Sequence, residues 1–244
     1  MLRPLPPAFA ATTGSLHRLA VYVISPAQRL ENGEIILRAT PAGLGTFPFG
    51  GRRRVVRIEG ADLVIDEAGG EVARSPIGSI AAAARLVGIE PDLAEQEQFD
   101  VPAVGDLDAP LAVDPAAVAA LHDWYAFVEA VLEELRSEAG PADDPSPVRL
   151  WPEHFDSAID MGDDGAGRRA TYGGSPGDRH HAQPYLYASP WAGRIDPFFD
   201  DSGFNGRALT YAELLEADDS HAHAGRFLRR ARDLIASHER NNGV

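Results

Sequence analysis

Leu16, Leu19, Ala20, Val23, Ile24, Ala27 and Leu30 recur at spacings of three and four, a pattern that predicts an amphipathic helix near the start of the chain. Ser15 is placed to cap it, Pro26 to kink it or mark its end, and Asn32-Gly33 to close it. Residues 1–14, with their prolines, then read as a flexible arm. The period drops to two in EIILRAT, where Ile35, Leu37 and Ala39 face one way and Ile36 and Arg38 the other. PAGLGTFPFGG reads as a loop: a phosphate cradle needs its glycines between a strand and a helix, and here another strand follows. RVVRIEG, DLVIDE and EVARSP, broken at GAD and AGG, predict a β-meander. SIAAAARLVG predicts a short helix with Ser79 as cap and Gly88 as stop.

Residues 90–113 are acidic and proline-punctuated, and predict an extended connection between two halves. Asp114-Pro115 then opens the clearest helix, a side-chain cap followed by proline in the first turn. Its stripe of Val118, Leu121, Tyr125, Val128, Leu132 and Leu135 is widened by Trp124, Phe127 and Val131, as suits a helix laid across a sheet. Two or three strands follow, with GDDGAG as a turn, and a final helix from about Asp219 turns Phe227, Leu228, Ala231, Leu234 and Ile235 inward. The expected fold is α+β: largely antiparallel sheet with packed amphipathic helices. Residues 15–244 form one domain in two interlocked halves, 15–89 and 114–244, joined by 90–113.

Composition narrows the chemistry. The chain has no cysteine, which removes disulfides, thiolate nucleophiles and Cys-ligated metals. It also has no lysine, which removes Schiff-base catalysis and a P-loop. The Arg-only, Ala/Gly/Pro-rich usage fits a GC-rich bacterial genome. A net charge of −15 repels phosphate backbones and anionic lipid, so neither nucleic acid nor membrane is an expected partner. No apolar run approaches membrane-spanning length and the N-terminus lacks signal-peptide features, so the expected location is cytoplasmic. Oligomeric state is left open, homo-oligomers included.

The candidate chemistry gathers between residues 150 and 194. In LWPEHFD, read as a strand after Pro152, His154 and Asp156 share one face while Glu153 takes the other. An imidazole and a carboxylate so placed can share a cation, or the carboxylate can orient the imidazole as a base; Glu153, His154 and Asp156 are therefore the catalytic candidates. YGGSPGDRHH supplies Asp178, His180 and His181 beside a tight turn. Tyr172, Ser175, Tyr185, Tyr187, Trp191 and Arg194 are candidate ligand contacts. Ser175 is not a nucleophile elbow, because proline follows it. His221 and His223 sit about 200° apart at a helix start, and His17, His122 and His238 lie on helices without ligand spacing.

LWPEHFD, YGGSPGD, the following His181 and PYLY with its later PW resemble the signature of an uncharacterised, mainly actinobacterial protein family. LHRLAVYVISPAQR and RATPAGLGTFPF are similar to its N-terminal segments. The family has no established activity, so the resemblance implies no function; it favours His154, Asp156, Asp178 and His181 over His180. Three readings follow. His154, Asp156, Asp178 and His181 bind a divalent metal (Zn, Mn, Fe or Ni) for hydrolase-like or oxygenase-like chemistry. Or the same cluster and the tyrosines bind a small molecule without metal. Or the polar groups cap turns and satisfy buried backbone in a structural or interaction domain.

Overall fold

The structure is a computed structural model that describes residues 2–93 and 101–238; residues 94–100 of the acidic connection lie outside the described residues. The chain divides into two units that do not follow its order. One comprises Leu5–Asp123 and Arg149–Phe155, the other Trp124–Val148 and the chain from Asp156 onward, with the first few residues.

The first unit opens with α1 (Phe9–Leu19), a π-helical turn (Ala20–Ile24) and α2 (Ser25–Asn32). The helix thus begins seven residues before the expected start, after Ala8 and not after Ser15. Ser15 is not its cap: it is buried, and its Oγ accepts from the Ala112 amide at 3.0 Å. Pro26 explains the π-turn. Its ring has no N–H and crowds the carbonyl four residues back, so the helix widens, and the freed Tyr22 carbonyl accepts from Asp92 N at 3.2 Å. Gly33, at φ 79°, ends α2 in the left-handed region.

Five strands follow: β1 (Leu37–Thr40), β2 (Gly43–Thr46), β3 (Val55–Glu59), β4 (Asp62–Glu67) and β5 (Gly70–Pro76). With β6 (Arg149–Trp151) they run in the order β6-β1-β2-β3-β4-β5, antiparallel along β1 to β5 and between β6 and β1. The meander is as expected, but within PAGLGTFPFGG the segment Gly43–Thr46 is a strand and not a loop. Its glycines are required by close approach: a Cβ on Gly43 would lie 2.1 Å from the Ile58 carbonyl oxygen. Helix α3 (Ile80–Val87) is capped by Ser79, whose Oγ accepts from Ala82 N at 3.1 Å, and stopped by Gly88 at φ 81°.

Helix α4 (Pro115–Ser137) starts where Asp114 accepts from Ala117 N at 2.9 Å, and Trp124, Tyr125, Val128, Val131 and Leu132 on its stripe are buried. The second unit's strands are β7 (Asp156–Met161), β8 (Ala170–Ser175), β9 (Tyr185–Pro190) and β10 (Arg207–Thr210), antiparallel in the order β10-β9-β8-β7. Val128 of α4 packs on Gly174, where a Cβ would stand 2.4 Å from its methyl carbon. A short helix α5 (Tyr211–Glu216), absent from the sequence reading, is opened by a reciprocal cap between Thr210 and Glu213. Helix α6 (Ser220–Ala236) begins at Asp219 and buries Leu228, Ala231 and Ile235. No described helix is long and apolar enough to cross a membrane.

Candidate functional site

WPEHFD is not one strand. Residues 152–155 form a turn closed by Phe155 N donating to Trp151 O at 2.7 Å, with Phe155 at φ 54°. The alternation that was to put His154 and Asp156 on a common face is therefore lost: His154 is exposed in the turn, and Asp156, first residue of β7, is buried. Phe155 accepts its unfavourable backbone conformation because its ring is buried and stacks on His17 at 4.7 Å, 6° from parallel. Burial pushes the His17 imidazole down to about 4, while the nearby Pro152 and Glu153 backbone pulls the other way. The turn in the first unit is thus an anchoring device around His17.

In the second unit a polar cluster does form. Register sets Tyr187 opposite Gly173 and Tyr185 opposite Ser175, so both phenols stand on the face that also carries Asp156 and Ala158. Gly173 has no side chain for a direct reason: a Cβ there would lie 2.6 Å from the Tyr187 ring. The ring crosses β8 and its hydroxyl donates to Asp156 Oδ2. Part of Tyr187 is accessible, but its hydroxyl end is desolvated; burial first, then the Asp156 charge, raise the phenol well above its usual range. Tyr187 is a fixed proton donor to a buried carboxylate.

Asp178 is the second carboxylate. Its Oδ1 accepts from the amides of His180 at 2.7 Å and His181 at 2.8 Å, and its Oδ2 accepts from the Tyr185 hydroxyl at 2.7 Å. Burial opposes the charge, but the backbone donors of His181 and His180 and the Tyr185 hydroxyl outweigh it and hold the carboxyl below the usual range. Ser175 is buried and its Oγ accepts from Gly177 N at 3.1 Å, closing the same loop.

At the edge of this cluster His181 Nε2 lies 2.9 Å from Asp201 Oδ2. Asp201 is a residue the sequence reading missed, and its other oxygen accepts from Gly203 N at 2.8 Å. A carboxylate only accepts, so in the neutral imidazole the proton sits on Nε2 and Nδ1 carries the lone pair, which has no hydrogen-bond partner among the described residues. The imidazole is about a quarter exposed and packs 4.5 Å from the Tyr185 ring. Phe204, also missed, completes an aromatic cluster about 6 Å from Tyr185 and Tyr187. The D-S-G run at 201–203 signals a turn in the sequence, but nothing local names His181 as its partner.

The remaining candidates go elsewhere. Tyr172 is buried on the opposite face of β8. Trp191 is half-exposed at the far end of β9, donating to Thr171 Oγ1 at 3.0 Å, and does not wall the tyrosines. Arg194 donates to the Asp201 carbonyl at 3.1 Å and so braces the His181 partner. Among the described residues no group of three or more His, Asp or Glu is arranged to hold a metal ion, so His154, Asp156, Asp178 and His181 do not form the expected ligand set. The physical reason is that His154 is turned to solvent while the other three are committed to different protein partners.

No family model, curated protein or solved structure matches this chain.

Proposed function

We propose that this is a metal-independent small-molecule-binding protein whose recognition group is His181, oriented by Asp201. The observation that supports it is the pair itself. The carboxylate fixes the tautomer and angle of a partly exposed, neutral imidazole, and the second nitrogen is left as an acceptor with no partner among the described residues. Carboxylates at 178 and 201 and the net charge of −15 disfavour an anion, so the ligand is an uncharged or cationic molecule presenting an O–H or N–H donor. The same pair is the starting geometry for a general base, which would make a bound hydroxyl nucleophilic. A structural reading is favoured by one feature: Tyr185, Tyr187 and Phe204 pack against one another at about 6 Å.

The two are separated by ligand-observed NMR with a panel of monosaccharides, phenols and primary amines against wild type and His181→Ala. The binding reading expects hits that vanish in the variant while its melting temperature holds. Hits untouched by the substitution, or a panel without hits and a variant that melts several degrees lower, favour the structural role.

A further inference from the structure

On one face of the first unit's sheet, β2 projects no side chain at two successive positions. Gly43 pairs with Thr40, and Gly45 pairs with both Arg38 and Arg57, so these glycines lie between polar residues of β1 and β3. A Cβ on Gly45 would stand 2.6 Å from the Arg57 Cβ, so the position cannot take a larger residue without movement of the strand. Beside this bare strip lies a cleft of about 370 Å³, lined by Arg38, Thr40, Ala42, Arg57, Glu59 and Asp66 among others.

Its charges are unevenly committed. Arg57 is consumed by the protein, donating through Nε to Asp66 Oδ2 at 2.6 Å and through Nη1 to Glu59. Arg38 spends only its Nε, on the Thr46 carbonyl at 3.2 Å, and lies 5.5 Å above the Phe47 ring; it has no carboxylate partner among the described residues. Its two terminal nitrogens remain a fork of donors of the shape that matches a carboxylate. Thr40 is buried and its hydroxyl has no hydrogen-bond partner among the described residues. Glu59 takes Arg57 and Arg74 on the same oxygen, Oε2, which leaves Oε1 able to accept. Two arginines and two carboxylates make the lining neutral overall, and a dianion would meet both acids.

We propose that this cleft binds a small zwitterion of the α-amino acid class, with its carboxylate forked by Arg38 and its ammonium facing Glu59. The proposal concerns the first unit alone and does not depend on His181. It is tested by titration calorimetry of the full chain with L-alanine, acetate and inorganic phosphate. L-Alanine is expected to bind saturably at millimolar concentration, with acetate about tenfold weaker and phosphate weaker still. Arg38→Gln and Glu59→Gln are each expected to cut alanine affinity about tenfold or more, and His181→Ala to leave it unchanged. Should Arg38→Gln lower the melting temperature, Arg38→Lys replaces it, keeping the charge and losing the fork, and the same weakening is expected. Absence of alanine binding, acetate or phosphate binding as tightly as alanine, or full affinity in the Arg38 variant would each overturn the assignment.

Discussion

His17 has to be neutral in the folded protein. Its folded value of about 4 lies below the ordinary 6.5, so the unfolded chain binds the extra proton between those two pH values. The contribution is complete above pH 6.5 and is lost as pH falls from there to about 4. Its size is at most about 3 kcal/mol, from 1.36 kcal/mol per pKa unit. Urea unfolding at pH 7, 5.5 and 4.5 should follow that slope, and His17→Gln should flatten it; an unchanged slope in the variant would place the titration elsewhere. Tyr187→Phe belongs to the same scale. Removing the hydroxyl takes a donor from buried Asp156 and should cost about 1–3 kcal/mol in urea unfolding. A variant as stable as wild type would mean that the bond contributes nothing net.

Where a helix or turn closes on its own residues, the sequence was readable. Ser79 and Gly88 bound α3, and Asp114-Pro115 opens α4, because the Ser79 and Asp114 oxygens each accept from an amide three residues on and the Gly88 amide donates to the Ala84 carbonyl four residues back. Asp114→Ala should therefore lose about 0.5–2 kcal/mol of thermal stability without altering the binding of any ligand; a loss well outside that range would show that the cap is not the main role of the side chain. The Thr210–Glu213 cap is equally local, lying within L-T-Y-A-E. The start of α1 is not legible for a different reason: Ser15 has the chemistry of a cap, but its hydroxyl accepts from Ala112 N, as that of Thr12 does from Asp114 N, about a hundred residues away. Gly173 shows the same limit in a strand. Gly173→Ala would press on the Tyr187 ring and should destabilise by about 1–3 kcal/mol, whereas Gly69→Ala, with nothing within 4 Å, should be nearly silent on that count. Equal effects at the two positions would mean that the ring yields freely.

For the whole chain, interleaving is the governing fact. The unit that holds the N-terminal helices and meander also needs Arg149–Phe155, whose β6 pairs with β1 through Leu37 and Leu150. A fragment ending at residue 148 would leave that edge of β1 unpaired and remove the Phe155 ring from His17. It should lack the cooperative unfolding transition of the full chain; a sharp melt and native near-ultraviolet circular dichroism in the fragment would argue against this dependence.

The sequence by itself determined the α+β class, the apolar stripe of the long helix α4, the meander and the absence of cysteine and lysine chemistry, since periodicity, caps and composition act within a few residues. It also drew attention to the 150–194 region, where Tyr185, Tyr187, Asp178 and His181 do come together. Only the tertiary structure decided that His154 turns to solvent, that Asp201 and not a metal ligand set holds His181, and that Gly173 makes room for a ring. Those outcomes depend on strand register and on side chains that meet across 20 and 31 residues. A one-residue change in register moves every side chain to the other face, so no local pattern could have chosen among them.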